Sequence, residues 1–330
     1  VAFERFLQFQ FQRQWTALRR YANDRGVGLI GDIPIFVAQE SSDVWAHPEL
    51  FDLDARGRPH TISGVPPDCF SRDGQLWRHP QYRWARHVES GFAWWLARFR
   101  RMFVLFDAVR IDHFLGFHRV WAVPGRAKTA RLGKWVKTPG AALFATLRRK
   151  LGRLEIIAED LGLAVPAAVA LRERCGFPGM RLLHFAFGND AGARYNQPHT
   201  YPHDCVVYPG THDNETTVGW FGNLRRRHVI EAKRRRGARR RELSAYERVL
   251  RYAGTSGREI HWAIIRLALA SPASTAIIPV QDFLGLGNEA RMNTPAAQRG
   301  NWAWRLRPGQ LTPAIARRLR DMTAAYGRAM

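Results

Sequence analysis

Cysteine is nearly absent from the sequence. The 330 residues include three cysteines, Cys69, Cys175 and Cys205, which lie far apart and form no CxxC pair. So few, widely spaced thiols argue against a disulfide framework and against a cysteine-based zinc site. We therefore predict reduced thiols and a cytoplasmic location.

Long hydrophobic runs are missing as well. A membrane-spanning helix needs about 18 or more nearly uninterrupted apolar residues, and no stretch of the chain approaches that length. The first residues also lack the pattern of a secretory signal peptide. We therefore expect no membrane partner, and 46% of hydrophobic residues suffices for a globular core.

Lysine is scarce although the chain is strongly basic. Five lysines stand among 51 basic residues, against 28 acidic ones, so the net charge of +23 comes almost entirely from arginine. The densest arginine run, 225–241, could bind a polyanion such as RNA. However, it has no interleaved aromatic side chains on which bases could stack. We interpret it as a solvated helix surface and expect no nucleic-acid partner.

The chain opens on valine, directly in a helical pattern. Aromatic and leucine side chains recur at intervals of three and four over residues 3–24, which predicts an amphipathic helix. A helix that begins without a cap suggests that the chain is a fragment of a longer protein.

The rest of the chain alternates apolar segments, polar tips and helical patterns. Six strands are predicted, at 27–33, 103–112, 154–161, 180–187, 204–209 and 275–280. Helices are predicted near 90–101, 140–150, 165–174, 259–270 and 312–329. This order favours an α/β fold, a (β/α)8 TIM barrel with its site at the carboxyl ends of the strands. A doubly wound sheet is the alternative, but no glycine-rich phosphate fingerprint follows any strand.

Two long segments, 36–91 and 113–140, are predicted to be loops. The first carries spaced aromatic side chains among Asp, His and Gln. A loop of that length in a compact domain is usually functional, and flat rings beside hydrogen-bonding groups suit sugars. The same aromatics could equally pin the loop to the body of the domain.

Three of the predicted strand tips carry carboxylates, at Asp112, Glu159 and Asp213. A strand places Arg110 and Asp112 on one face, where a guanidinium can orient a carboxylate, although the pair alone could be a simple salt bridge. In a barrel the tips converge, and two carboxyls about 5–5.5 Å apart can carry out retaining glycosyl transfer. Asp160, beside Glu159, could help to keep that acid protonated.

A metal site is the competing interpretation of these tips. The three carboxylates could bind a metal together with His113, His184 and His212. No HxH or HExxH spacing supports this, so we predict none.

Five motifs stand out, and four of them include a predicted strand or its polar tip, whereas the motif at 64–77 lies in the predicted loop 36–91. They are GDIPIFVAQESSDVWA at 31–46, GVPPDCFSRDGQLW at 64–77, FDAVRIDHFLG at 106–116, IIAEDLG at 156–162 and GTHDNET at 210–216. In this order they resemble the 4-α-glucanotransferase family, which includes amylomaltase and belongs to the α-amylase clan. The resemblance implies one catalytic barrel domain over 1–330, with 36–91 over the cleft, strands one and two missing, and no metal or organic cofactor.

The resemblance also implies an activity and the residues behind it. The activity would be retaining transfer of α-1,4-glucan segments between maltooligosaccharides or starch- and glycogen-type glucans. Asp112 would be the nucleophile, Glu159 the general acid/base and Asp213 the third carboxylate. The predicted substrate-binding residues are Arg110, His113, His212, Asp68, Gln75, Trp77, Asp32 and Asn214.

Two departures and two alternatives accompany this prediction. Cys69 stands where some members of the family carry an aromatic residue, and Arg78-His79-Pro80 differs from a glycine-containing version. Because two barrel strands are expected to be missing, a non-catalytic α-glucan-binding fragment is the first alternative. A polyanion-binding protein, based on 225–241, is the second.

Overall fold

A computed structural model describes residues 1–67, 71–162, 165–234, 242–295, 297 and 299–329. Contacts divide the chain into two compact units, Val1–Pro178 and Gly179–Met330. Asp68, Cys69 and the arginine-rich residues 235–241 lie outside the described residues. None of the described helices is both long and apolar enough to cross a membrane.

Unit 1 combines a parallel sheet, an antiparallel sheet and helices. Its elements are α1 Ala2–Asn23, β1 Ile30–Pro34, α2 Ser42–Ala46, β2 Thr61–Val65, β3 Gln75–Pro80, α3 Trp84–Glu89, α4 Ala93–Leu105, β4 Ala108–Asp112, β5 Arg119–Pro124, β6 Lys134–Lys137, α5 Gly140–Leu151, β7 Ile156–Ala158 and α6 Pro166–Cys175. The first helix of the sequence analysis, 3–24, is confirmed by α1.

The parallel strands of unit 1 run in the order β1, β4, β7. The register pairs Asp32 with Arg110, and Ile111 with Ala158. Carboxyl ends of parallel strands share one edge of a sheet, so Asp112, the last residue of β4, and Glu159, the first residue after β7, lie at the same edge. The sheet therefore places two of the three predicted carboxylates together.

Helix α4 overturns the first half of the predicted strand 103–112. The helix runs through Leu105, and the strand begins only at Ala108. Trp95 and Phe99, four residues apart, are fully buried, and Phe103 continues this spacing against the same core. The helical period therefore prevails over the β-forming tendency of the aromatic and β-branched residues.

Both predicted long loops are wrong in part, because they contain strands. An antiparallel sheet in the order β3, β2, β5, β6 takes two strands from 36–91 and two from 113–140. Helices α2 and α3 also lie within the first segment. A side-chain Cβ at Gly64 of β2 would lie 2.4 Å from the carbonyl oxygen of Gln75, so glycine permits this pairing. Such short strands pair across long sequence separations, and their local pattern is weak.

Unit 2 contains three parallel strands among its described residues, in the order β8, β9, β10. Its elements are β8 Gly179–Leu182, α7 Ala191–Tyr195, β9 Cys205–Tyr208, α8 Thr217–Arg234, α9 Ala245–Ala253, α10 Ile260–Ala270, β10 Thr275–Ala276, α11 Val280–Phe283 and α12 Pro313–Ala325. Buried side chains of β9 and α10, including Val207 and Ile264, form its core.

The strands of unit 2 are shorter than predicted. The predicted strand 180–187 ends at Leu182 and turns into a 3-10 helix, and the predicted strand 275–280 ends at Ala276. Helix α11 begins at Val280, the last residue of the second predicted strand, and its Asp282 accepts a hydrogen bond from the backbone N–H of Thr217 at 2.8 Å. Asp282 therefore caps the start of α8, and its burial raises its pKa to about 6.

Candidate active site

Arg110 lies between two carboxylates in unit 1. Its Nη1 donates to both oxygens of Asp32 at 2.8 and 2.7 Å, and its Nη2 donates to Asp112 Oδ1 at 3.0 Å. The Arg110 side chain is 10% exposed, whereas that of Asp112 is 44% exposed. Burial alone would lower the pKa of Arg110, but Asp32 and Asp112 raise it above its ordinary value. A fixed positive charge thus supports an accessible carboxylate, which confirms the predicted contact between Arg110 and Asp112.

His113 links the two carboxylate-bearing strands of unit 1. It adopts left-handed backbone angles, φ 52° and ψ 57°, which are uncommon for a residue with a side chain. Its N–H donates to Glu159 Oε2 at 2.8 Å, and the N–H of Leu161 donates to Glu159 Oε1 at 2.9 Å. Both oxygens of Glu159 are therefore oriented by the backbone, one of them by the residue that follows Asp112.

Glu159 is the titratable group best suited to proton transfer in unit 1. Burial, together with the negative charge of Asp112, raises its pKa to about 7, although Arg110 acts in the opposite direction. Asp160 does not have the predicted role. It lies 3.1 Å from the Nε of Arg172, and both side chains are buried, so its charge is compensated there. The group that raises the pKa together with burial is Asp112, on the neighbouring strand.

Strand β3 carries Gln75 and Trp77, two of the predicted substrate-binding residues. Trp77 contacts both His113 and Gln75. The ring centroids of Trp77 and His113 are 4.8 Å apart and the rings are perpendicular. Trp77 Nε1 donates to Gln75 Oε1 at 3.2 Å. Burial lowers the pKa of His113 to about 4, so its imidazole is neutral near pH 7. The predicted residue Asp68 lies outside the described residues.

In unit 2, Asp213 is held by side chains from a distant loop. Asn293 Nδ2 donates to Asp213 Oδ1 at 2.6 Å, and Arg291 Nη2 donates to the Asp213 carbonyl oxygen at 2.7 Å. His212 Nε2 lies 3.4 Å from Asp213 Oδ2, and the His212 carbonyl accepts from the Asn293 N–H at 3.1 Å. The His-Asp tip that follows β9 is thus fixed on two sides.

Asn214 stabilises the turn that carries His212 and Asp213. Its Oδ1 accepts from the backbone N–H of Thr211 at 2.8 Å and from Thr211 Oγ1 at 2.9 Å. This side chain closes the turn that presents Asp213. Its predicted role in substrate binding stays a prediction.

The sequence analysis missed three residues around Asp213 and His212. Arg291 and Asn293 contact the tip as described above, and the ring of Trp302 lies 5.2 Å from that of His212, centroid to centroid. Trp302 is 52% exposed and has a left-handed φ of 60°. None of the three follows a strand directly, so a search of strand tips does not find them. The sequence does contain a signal for them, because polar and aromatic side chains cluster in the segments RMN (291–293) and GNWAW (300–304).

The described residues contain no group of three or more His, Cys, Asp or Glu side chains suited to a metal ion. The side chains of unit 1 described above include carboxylates, an arginine and aromatic rings. A carboxylate beside a fixed arginine, next to a second carboxyl of raised pKa, is typical of retaining enzymes that act on glycosidic bonds.

Residues 1–312 match the family model described as 4-alpha-glucanotransferase, glycoside hydrolase family 77. The chain belongs to this family, as its motifs predicted. A 4-alpha-glucanotransferase of Thermus thermophilus is 46% identical over 99% of this chain and 64% of its own length. The chloroplastic/amyloplastic enzyme of Solanum tuberosum is 45% identical over 97% of this chain and 53% of its own length. The chain therefore spans roughly half to two thirds of these relatives.

Two solved structures share the fold. An amylomaltase from Streptococcus agalactiae, solved in complex with acarbose, is 41% identical with a TM-score of 0.88, over 98% of this chain and 62% of that one. An amylomaltase from Corynebacterium glutamicum, 20% identical, has a TM-score of 0.76 over 98% of this chain and 50% of its own. The predicted α/β class is confirmed, and the likeness is consistent with the barrel of the α-amylase clan.

Proposed function

We propose that the protein is a 4-α-glucanotransferase, which moves a segment of α-1,4-glucan from a donor chain to an acceptor chain. The observation that carries the proposal is the pairing of Asp112, supported by Arg110, with Glu159, whose pKa is raised to about 7. The names of the relatives favour a transferase over a non-catalytic glucan-binding protein.

In the first half of the proposed reaction, Asp112 is the nucleophile. Its carboxylate attacks the anomeric carbon of the donor, while the protonated carboxyl of Glu159 gives its proton to the glycosidic oxygen. The C–O bond of the glycosidic linkage breaks, and the reducing-end fragment leaves with that proton. An ester then joins the remaining glucan to Asp112.

In the second half, Glu159 changes from acid to base. A hydroxyl of the acceptor gives its proton to the Glu159 carboxylate and attacks the same carbon, which breaks the ester and frees Asp112. A pKa near 7 suits both tasks, because the protonated and ionised forms are both well populated near neutral pH.

The remaining predicted residues bind and orient the sugar. Asp213, held by Asn293, accepts hydrogen bonds from sugar hydroxyls, and His212 forms a hydrogen bond with a hydroxyl of the same sugar. Trp77 offers a flat ring, with Gln75 beside it. Asp32 acts through Arg110, whereas His113, Asn214 and Asp68 stay predicted contacts with substrate. The proposed partners are maltooligosaccharides and longer α-1,4-glucans, and the proposed location is the cytoplasm.

The test is disproportionation of maltotriose. Transfer of a maltosyl unit from one maltotriose to another yields glucose and maltopentaose, which chromatography resolves. Asp112→Asn should lower this activity by roughly 10⁴-fold or more. Glu89→Gln, which changes an exposed carboxylate paired with Arg86, is the control. Release of glucose and maltose without longer products contradicts transfer, and glucan binding without turnover identifies the non-catalytic alternative.

A further inference from the structure

A second feature of unit 1, which shares no residue with the carboxylate site described above, also suits a sugar chain. Trp45 is 85% exposed, which makes it the most exposed tryptophan among the described residues. It borders a cavity of about 600 Å³. The residues that line this cavity include Gln39, Glu40, Ser42, Val44, Trp45 and Leu53, and we call it the Trp45 cavity.

The walls of the Trp45 cavity are held in place by the fold. Val44 and Leu53 are 4% and 6% exposed and form an apolar floor. Gln39 Nε2 donates to the carbonyl oxygen of Gly57 at 2.6 Å, and this hydrogen bond joins two residues that both line the cavity. On the neighbouring face of α2, Asp43 Oδ1 accepts from Trp94 Nε1 at 3.1 Å. The exposed indole therefore stands on an anchored segment, and little ordering is needed on binding.

The charge of the Trp45 cavity indicates what it binds. None of its nine lining residues is Lys or Arg, and Glu40 is the one acidic residue among them. This composition is unusual in a chain with 51 basic residues and a net charge of +23. It disfavours phosphates and nucleic acids, which need basic contacts. A neutral ligand with a flat apolar face and a rim of hydroxyls fits the indole, the apolar floor and the polar side chains.

We propose that the Trp45 cavity is a second α-glucan-binding site, with Trp45 as the stacking platform for a glucose ring. This inference rests on the proposed function for the identity of the sugar. The cavity shares no lining residue with the Asp112–Glu159 site. It therefore binds a long glucan without reacting with it. Holding such a chain raises the local concentration of its other segments, which favours long glucans over short ones.

The experiment measures binding rather than turnover. The Asp112→Asn protein, which leaves glucan intact, is titrated calorimetrically with maltoheptaose and run in gels that contain soluble amylose. Trp45→Ala, made in the same protein, should remove one class of maltoheptaose site and weaken amylose retardation by about tenfold. Trp45→Phe keeps a flat ring and should retain most of the retardation.

Leu132→Ala is the matched control, because Leu132 is also highly exposed, at 78%, in unit 1, and is not among the residues that line the cavity. It should leave both readouts unchanged. The proposal is overturned if Trp45→Ala retains both classes of maltoheptaose-binding site. It is also overturned if the protein self-associates and Trp45→Ala abolishes this self-association without any loss of glucan binding. If the protein without any substitution fails to convert maltotriose but Trp45-dependent binding persists, the transferase proposal fails and the glucan site stands.

Discussion

The backbone N–H of His113 donates to the carboxylate of Glu159 at 2.8 Å. The residue that directly follows the proposed nucleophile, Asp112, thus orients the proposed acid. The left-handed conformation of His113, with φ 52°, brings this N–H to Glu159. Backbone geometry at one position therefore sets the environment of both carboxylates.

Substitution of His113 separates the contribution of its backbone from that of its ring. His113→Val should destabilise the protein by roughly 1–3 kcal/mol, because β-branched residues strongly disfavour a positive φ. His113→Gly tolerates this φ and loses only the ring that contacts Trp77. Urea unfolding of the two variants measures the difference. Equal destabilisation by both would contradict the role of the backbone.

The raised pKa of Glu159 predicts how activity depends on pH. The proposed acid must be protonated when the donor bond breaks, so kcat/KM should decline as pH rises above about 7. Initial rates with maltotriose between pH 4 and 10 would show this limb. Glu159→Gln cannot titrate, so its residual activity should lack the decline. A limb that persists in Glu159→Gln belongs to another group.

The same shift predicts how stability depends on pH. Since the folded protein raises the pKa of Glu159 from 4.5 to about 7, it binds a proton more tightly than the unfolded chain does. This stabilisation is fully present below pH 4.5 and is lost as pH rises through about 7. The stability of Glu159→Gln relative to the parent should therefore rise over this range, by on the order of 1–3 kcal/mol. Urea unfolding at pH 4 and pH 8 compares the two proteins.

Asp160 is predicted to act on stability and not on catalysis. Asp160→Asn leaves the charge of buried Arg172 poorly compensated, which should cost about 3–5 kcal/mol. The alkaline limb of kcat/KM should stay in place, because Asp112 and burial, not Asp160, raise the pKa of Glu159. Thermal unfolding and the pH profile together check this. A shift of the alkaline limb in Asp160→Asn would instead support the predicted role of Asp160 in keeping Glu159 protonated.

Asp32 is predicted to position Arg110. Asp32→Asn removes one of the two negative charges on that guanidinium, so Arg110 should orient Asp112 less well. We expect kcat to fall about 10- to 100-fold, because small misplacements of reacting groups are costly, with a smaller change in KM. Asp54→Asn, in an exposed turn, is the control. A rise in KM with kcat unchanged would instead place Asp32 in direct contact with substrate.

Asn293 is predicted to hold Asp213 in unit 2. Asn293→Ala removes the 2.6 Å hydrogen bond to Asp213 Oδ1, and we expect kcat/KM for maltotriose to fall roughly tenfold or more. Gln8→Ala on the exposed side of α1 is the control. Restoration of activity by Asn293→Gln would separate a hydrogen-bonding role from a packing role.

The order of elements was largely predictable from the sequence. The helical period of 3–24, the apolar segments around Val109, Ile157 and Val207, and the polar residues after them all appear where the pattern predicts. These signals are local, because burial on one helix face or inside a sheet imposes its period directly on the chain. The motifs around Asp112 and Glu159 carried the family for the same reason, since each is contiguous.

The sequence by itself determined the α/β class, the family and the carboxylates at the strand ends. Tertiary structure alone decided that α4 extends to Leu105 and that the two long loops contribute to one antiparallel sheet. It also decided that Asp160 pairs with Arg172, that Asp112 and burial raise the pKa of Glu159, and that Asn293 holds Asp213. Each of these depends on contacts between residues distant in sequence or on the removal of water from a charged group. No local pattern records either effect.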